Sequence, residues 1–208
     1  MSSFETLVKD RRSAMKFIPN VDISERELNE MFSLTKFAPS AFNLQHTHYI
    51  VVKDPEIKNK LYGAANKQYK VLSSSAVILV LGNTNAYQDV GPIHEGLLNL
   101  GVMSKQEYDM TVDSVLSFYG ERGESFKRDE AIRSASLSAM LFMLIAKDRG
   151  WDTCPMIGFD PVAVGQILNI PDTHVPAMMI TIGHEDTSTQ RPRGYRKPVG
   201  EFVSYNGF

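Results

Sequence analysis

The chain has 208 residues, 43% of them hydrophobic, which suits one domain (residues 1–208) with a sizeable core. A formal net charge of −2 and a pI near 6.2 give no general attraction to nucleic acid or to an anionic membrane, and leave small molecules or protein partners. The single cysteine, Cys154, excludes an internal disulfide; with a start that lacks the basic and apolar regions of a signal peptide, it predicts a cytoplasmic protein. The longest apolar runs, such as 76–81, fall far short of the roughly 20 residues that a bilayer requires.

Ser2-Ser3-Phe4-Glu5 has capping-box spacing and opens a first helix with an apolar edge of Phe4, Leu7 and Val8, ending near Arg11 or Arg12. Arg11-Arg12-Ser13 then pairs guanidinium forks with a hydroxyl, a set suited to an anion. Ser24-Glu25-Arg26-Glu27 is a second capping box, and Leu28, Met31, Phe32 and Thr35 keep helical spacing up to Phe37. Pro39 closes that run, because the residue ahead of a proline is pushed out of the α region. Ser40, Asn43 and Gln45 follow, with hydroxyl and amide groups that can orient a flat polar ligand or simply bond their own turn.

Residues 49–53 read as a strand, and Asp54-Pro55 caps a third helix that closes around Lys67-Gln68-Tyr69-Lys70. Residues 76–82 form a continuous apolar strand expected at the centre of a covered sheet. Residues 83–91 are loop formers, with short helices after them around Ile93–Val102 and Tyr108–Leu116. The stretch 117–126 mixes Phe118, Tyr119 and Phe126 with glycines and charges, a pattern for a mobile flap or an ordinary surface loop. Residues 129–148 give the longest helix, small or apolar on nearly every face, so it belongs at a domain centre or a subunit interface. Gly150 ends it. Pro155, Met156, Ile157 and Gly158 predict an unusual backbone path that presents amide groups. Asp160-Pro161 caps a helix through Leu168, and residues 175–183 form another strand. Arg191-Pro192-Arg193 is a second basic cluster, its arginines held apart by a stiff proline.

No phosphate loop, Gly-x-Gly-x-x-Gly fingerprint, nucleophile elbow or zinc spacing is present in the sequence. From the residues alone this is a mixed α/β domain in which two arginine clusters, one from each end, could converge on one phosphate. His46 and His48 lack a nearby third ligand, which argues against a metal, and Cys154 beside a proline reads as packing.

Arg11-Arg12-Ser13, Pro39-Ser40-Ala41-Phe42-Asn43-Leu44-Gln45, Pro155-Met156-Ile157-Gly158 and Arg191-Pro192-Arg193 resemble, in residue type, order and spacing, the FMN-dependent nitroreductase family. The resemblance covers essentially the whole chain. It implies an α+β fold with a central, mostly antiparallel sheet flanked by helices, and an intertwined homodimer with FMN at the subunit interface. It implies that Arg11, Ser13, Arg191 and Arg193 hold the phosphate, with Arg12, Ser13 and Met15 near the ribityl chain and ring. Gln68 and Lys70 would face the pyrimidine edge, and Pro155, Met156, Ile157 and Gly158 would run along the isoalloxazine. Pro39, Ser40, Ala41, Asn43 and Gln45 would come from the other subunit. NAD(P)H is the implied co-substrate, with a nitroaromatic, a quinone or a similar acceptor reduced in a two-electron ping-pong cycle that asks no acid or base of the protein. Met15 stands where several relatives have a lysine and Ile157 where some have a glutamate. Those departures motivate an alternative, a flavin carrier or sensor without turnover; another reaction on the same fold would need extra lid residues.

Overall fold

The computed structural model describes residues 3–208. Ser2, expected to cap the first helix, lies outside them; Ser3 takes the role, accepting from the Thr6 amide at 3.3 Å, and α1 spans Phe4–Asp10. Helix α2 (Glu25–Thr35) carries the complete Ser24–Glu27 capping box. It ends four residues before Pro39, which therefore bounds the linker rather than the helix itself. Strand β1 (Thr47–Val52) follows, then α3 (Pro55–Ala64), its N-cap Asp54 accepting from the Ile57 amide. The third helix does not run to Lys70: Asn66 and Lys67 have φ of +53° and +54°, which breaks it, and Lys70 starts a separate short helix, α4 (Lys70–Ser73).

Strand β2 (Ala76–Asn83) is the centre of the sheet. Of the residues read as loop between 83 and 91, only Thr84 and Asn85 remain a turn before a 3-10 turn at Ala86–Asp89, and α5 already begins at Val90 (Val90–Asn99). Helices α6 (Lys105–Gly120) and α7 (Gly123–Asp148) meet at a two-residue corner, so the flap expected over 117–126 is helix on both sides. Strand β3 (Asp152–Met156), α8 (Pro161–Leu168) and β4 (His174–Gly183) complete the order. The path expected to be unusual at Pro155 is regular strand; proline is tolerated there because β3 is an edge.

The sheet runs β1-β2-β4-β3 with every named pairing antiparallel. Alternation along β2 explains its unbroken apolarity. Ala76, Ile78 and Val80 join α2 and α7 residues in one cluster, whereas Val77, Leu79 and Leu81 join α3 and α8 residues in another. Both faces are thus covered, and a period-2 strand needs apolar side chains at every position. Helix α7 crosses β2 so closely that a Cβ at Gly82 would sit 2.6 Å from the Ala131 carbonyl oxygen.

Within one chain α7 is buried on every side but one stripe, which leaves the subunit-interface alternative open. Ala131, Ala135, Ser138, Phe142 and Ala146 are buried, while Leu137 and Met140 are 49% and 42% exposed. Among the described residues no helix is long and apolar enough to cross a membrane.

Candidate functional site

Arg11 caps α1, and the chain then lies along the sheet: the Ala14 amide donates to the Thr153 carbonyl at 3.0 Å, and Ser13 bridges Thr153 in parallel. Fully buried Ala14 and Phe17 fix this course, since each moves its side chain out of water into the core beside β3 and β4. Arg11, Arg12 and Ser13 are therefore set at the outer side of β3. The C-terminal segment returns to the same corner. Arg12 donates to the Arg191 carbonyl at 2.6 Å, and Arg193 donates to the carbonyls of Lys9 and Arg11.

The two arginine clusters thus meet at one corner, and among the described residues no ion pair joins them to a carboxylate. Arg11 Nη1 is buried and has no partner among the described residues. Burial, then repulsion from Arg193 and Arg196, lowers the Arg11 pKa from its usual value. Guanidinium groups gathered in this way are stabilised by an anion that satisfies the unpaired donor.

The rest of this region is built from the segment after α3 and the turn after β3. Asn66 and Gln68 both donate to the Gly158 carbonyl, at 3.1 and 3.0 Å, and thereby hold the 157–158 turn in place. Gln68 was expected to offer its amide to a ligand edge; one of its N–H groups is spent on Gly158 instead. Lys70 Nζ donates to Cys154 Sγ at 3.3 Å, which ties α4 to β3. Pro155 and Met156 are largely covered, while Ile157 and Met15 are 83% and 60% exposed and present apolar surface beside these donors.

The Ser40–Gln45 turn has a different construction. Ser40 Oγ accepts from the Gln45 amide at 2.9 Å, and Gln45 Nε2 donates to the Asn43 carbonyl at 3.3 Å. Phe42, Asn43 and Gln45 all have positive φ, between 50° and 56°, which costs free energy for residues other than glycine and must be held by the surroundings. The hold on Phe42 is aromatic: its ring meets Phe118 edge-on at 5.3 Å and Tyr119 at 6.3 Å. Tyr119 also stacks on Tyr87 at 5.1 Å and reaches His46 Nε2 at 3.4 Å. Burial pushes the Tyr119 phenol up to about 12 and lowers the His46 pKa, the latter opposed by Glu130. Pro39, Ser40 and Gln45 rim a cleft of about 500 Å³ with Phe32, Tyr49 and Ser138, whose hydroxyls bond each other at 2.7 Å.

One chain does not unite these two regions. Ser13 lies against Thr153, which pairs with Ile182 of β4; Thr47, just after the turn, pairs with Gly82, which pairs with Val175. The first is at the β3 edge and one end of β4, the second at the β1 edge and the other end. Three strand spacings and the length from Val175 to Ile182 separate them by roughly 28 Å.

Two contributors escaped sequence reasoning. Phe118, Tyr119 and Phe126 were noticed as rings, but the stretch was read as a flap or surface loop because Gly120 and Gly123 flank the corner, although Val115, Phe118 and Tyr119 keep helical spacing into it. Asn66 carried only the weak signal of an Asn-Lys pair after a helix.

The model of the nitroreductase family matches residues 8–184. The chain is 62% identical, over 99% of its length and 100% of the relative's, to MhqN of Bacillus subtilis (strain 168), a protein named as an NAD(P)H nitroreductase. A protein of Lactiplantibacillus plantarum named as the CLA biosynthesis enone reductase is 32% identical over 84% of this chain and 82% of its own. A crystal structure from Exiguobacterium sibiricum 255-15, named as a nitroreductase in complex with FMN, superposes with a TM-score of 0.90 at 28% identity, covering 99% of this chain and 98% of the other. With its four-stranded antiparallel sheet and flanking helices, the chain has the nitroreductase-like fold and belongs to the nitroreductase family, a family of oxidoreductases.

Proposed function

We propose that the protein is an FMN-dependent oxidoreductase that uses NAD(P)H to reduce nitroaromatics, quinones or similar acceptors. The observation that carries this reading is the arginine corner, where Arg11 Nη1 is buried without a partner and Arg193 converges on the same backbone. The FMN-bound relative supports the cofactor, and the enone-reducing relative widens the acceptor class to activated double bonds.

The residues present fit FMN. Arg11, Arg12, Arg191 and Arg193 with the Ser13 hydroxyl would hold the phosphate, whose negative charge offsets both the burial of Arg11 and the mutual repulsion of the cluster. Gln68 and Lys70 would face the pyrimidine edge, and Met15, Pro155, Met156, Ile157 and Gly158 would lie along the ring, with the exposed Ile157 excluding water. When bound, the cofactor supplies two-electron transfer from NAD(P)H to the acceptor in ping-pong order, so the protein's task is positioning rather than acid–base chemistry.

Because Ser40, Asn43 and Gln45 stand roughly 28 Å from the arginine corner of their own chain, they would serve the FMN of a second copy. A homodimer with FMN at its interface also gives cover to the exposed stripe of Leu137 and Met140 on α7. The free Cys154 is in keeping with a reducing cytoplasm. The alternative of a flavin carrier or sensor without turnover rests on Ile157 and Met15, which place apolar surface where relatives have charge. Anaerobic addition of NADH or NADPH to the yellow protein separates these readings. Bleaching that a nitroaromatic or menadione reverses supports the reductase; tight FMN binding without bleaching supports the carrier. A colourless protein that FMN cannot reconstitute rejects both.

A further inference from the structure

On the α3 side of the sheet, away from β3, a cleft of about 320 Å³ opens between the 20–22 segment, the end of β1 and the start of β2. Lys58 lines it from α3. That side chain is only 8% exposed, yet among the described residues it takes part in no ion pair; its ammonium donates instead to the Leu72 carbonyl at 3.1 Å and to the Ser74 carbonyl. Capping the end of α4 accounts for two of its three N–H donors and none of its charge. Burial lowers its pKa, the mark of a cation without a counter-ion.

A second, separate observation is in the Ser73-Ser74-Ser75 run. Among the described residues Ser73 Oγ and Ser75 Oγ are both buried without a partner, and Ser75 lines the cleft beside Lys58. A buried hydroxyl left unpaired costs free energy unless something supplies the missing bond. At the mouth, Lys53 is tied to Asp22 at 2.8 Å and to the Ile23 carbonyl at 2.5 Å. With Asp22 neutralised by Lys53, Lys58 leaves the cleft one net positive charge.

We propose that this cleft is a second ligand site, for a small oxyanion such as phosphate or a short carboxylate, gripped by Lys58 Nζ and Ser75 Oγ with Lys53 at its rim. The site stands whether or not the flavin reading is correct, since it shares no residue with the arginine corner.

The test is calorimetric titration of inorganic phosphate and, separately, acetate at constant ionic strength. The full-length protein is saturated with FMN so that phosphate cannot report on Arg11 and Arg193. A parallel series uses the Arg11→Ala/Arg193→Ala chain without FMN, which keeps the result independent of flavin binding. The expected result is one anion per chain in both series, weakened about tenfold or more by Lys58→Met, the loss of a charge-assisted bond. Ser75→Ala and Lys53→Gln, which leave the α4 cap intact, should weaken it severalfold and keep the test valid if Lys58→Met does not fold. Binding of phosphate alone assigns a phosphate site, and binding of acetate alone or of both assigns a carboxylate-competent one. No heat with either anion, or affinity that none of the three substitutions alters, overturns the proposal.

Discussion

At the arginine corner, hydrogen bonds join residues 179 to 184 positions apart, whereas within the Ser40–Gln45 turn they span five residues or fewer. The corner is assembled by the last segment of the chain closing over the first, and it is partly exposed and like-charged. The turn is local, but its three positive-φ residues would not persist on local bonds alone. It borrows rigidity from the α6–α7 corner through Phe42 and Tyr119. Polar groups can thus be held in place by long-range backbone capture or by strain propped from a packed core.

The largest expected effect falls on the propped side. Tyr119 is 1% exposed and packs against the rings of Phe42, His46, Tyr87, Phe118 and Phe126, so Tyr119→Ala should cost about 3–5 kcal/mol of stability in chemical denaturation. A loss under 1 kcal/mol would mean that the turn does not lean on this cluster. Next, Arg11→Ala should weaken FMN binding in a fluorescence titration by about 1.5–3 kcal/mol, the worth of a charge-assisted bond, with little change in apoprotein stability because Arg11 Nη1 has no partner to lose. Unchanged FMN affinity would separate the corner from the cofactor.

Acidification should also discriminate. His46 is buried with its pKa lowered, chiefly by desolvation, and His174 is lowered by desolvation and by His48, so at neutral pH both fold uncharged. Below about pH 6.5, the unfolded value, the unfolded chain takes up protons that the folded one refuses, and stability falls with pH. For His46 the slope is at most about 1.4 kcal/mol per pH unit. Urea midpoints at pH 7.5 and 5.5 should show the drop, and His46→Gln should flatten it. The smallest effect belongs to Ser40→Ala, which removes a single exposed bond to the Gln45 amide and should cost about 1 kcal/mol or less. A larger cost would make the turn's local bonds, not its aromatic prop, the main support.

The elements with strong local signals were legible. The Ser24–Glu27 capping box, the Asp-Pro helix starts and the unbroken apolar run of β2 act over a few residues, so the sequence displays them directly. Gly150 ending α7 with φ of +84° is another such case. The misread segments were those where neighbours decide: the Gly120–Gly123 corner looks loose until Phe126 of α7 meets Phe118 and Tyr119 of α6 across it, and Pro155 looks disruptive until β3 proves to be an edge.

The order and chemistry of the two arginine clusters, the amide-bearing turn and the helix and strand signals around them were determined by the sequence itself, because they depend on residue type and short spacing. That Arg193 would reach Arg11, that the turn would lie at the opposite corner of the sheet, and that Lys58 would be buried without a counter-ion were decided only by the tertiary structure. Those facts arise from strand order and register, which bring together positions that no local pattern relates.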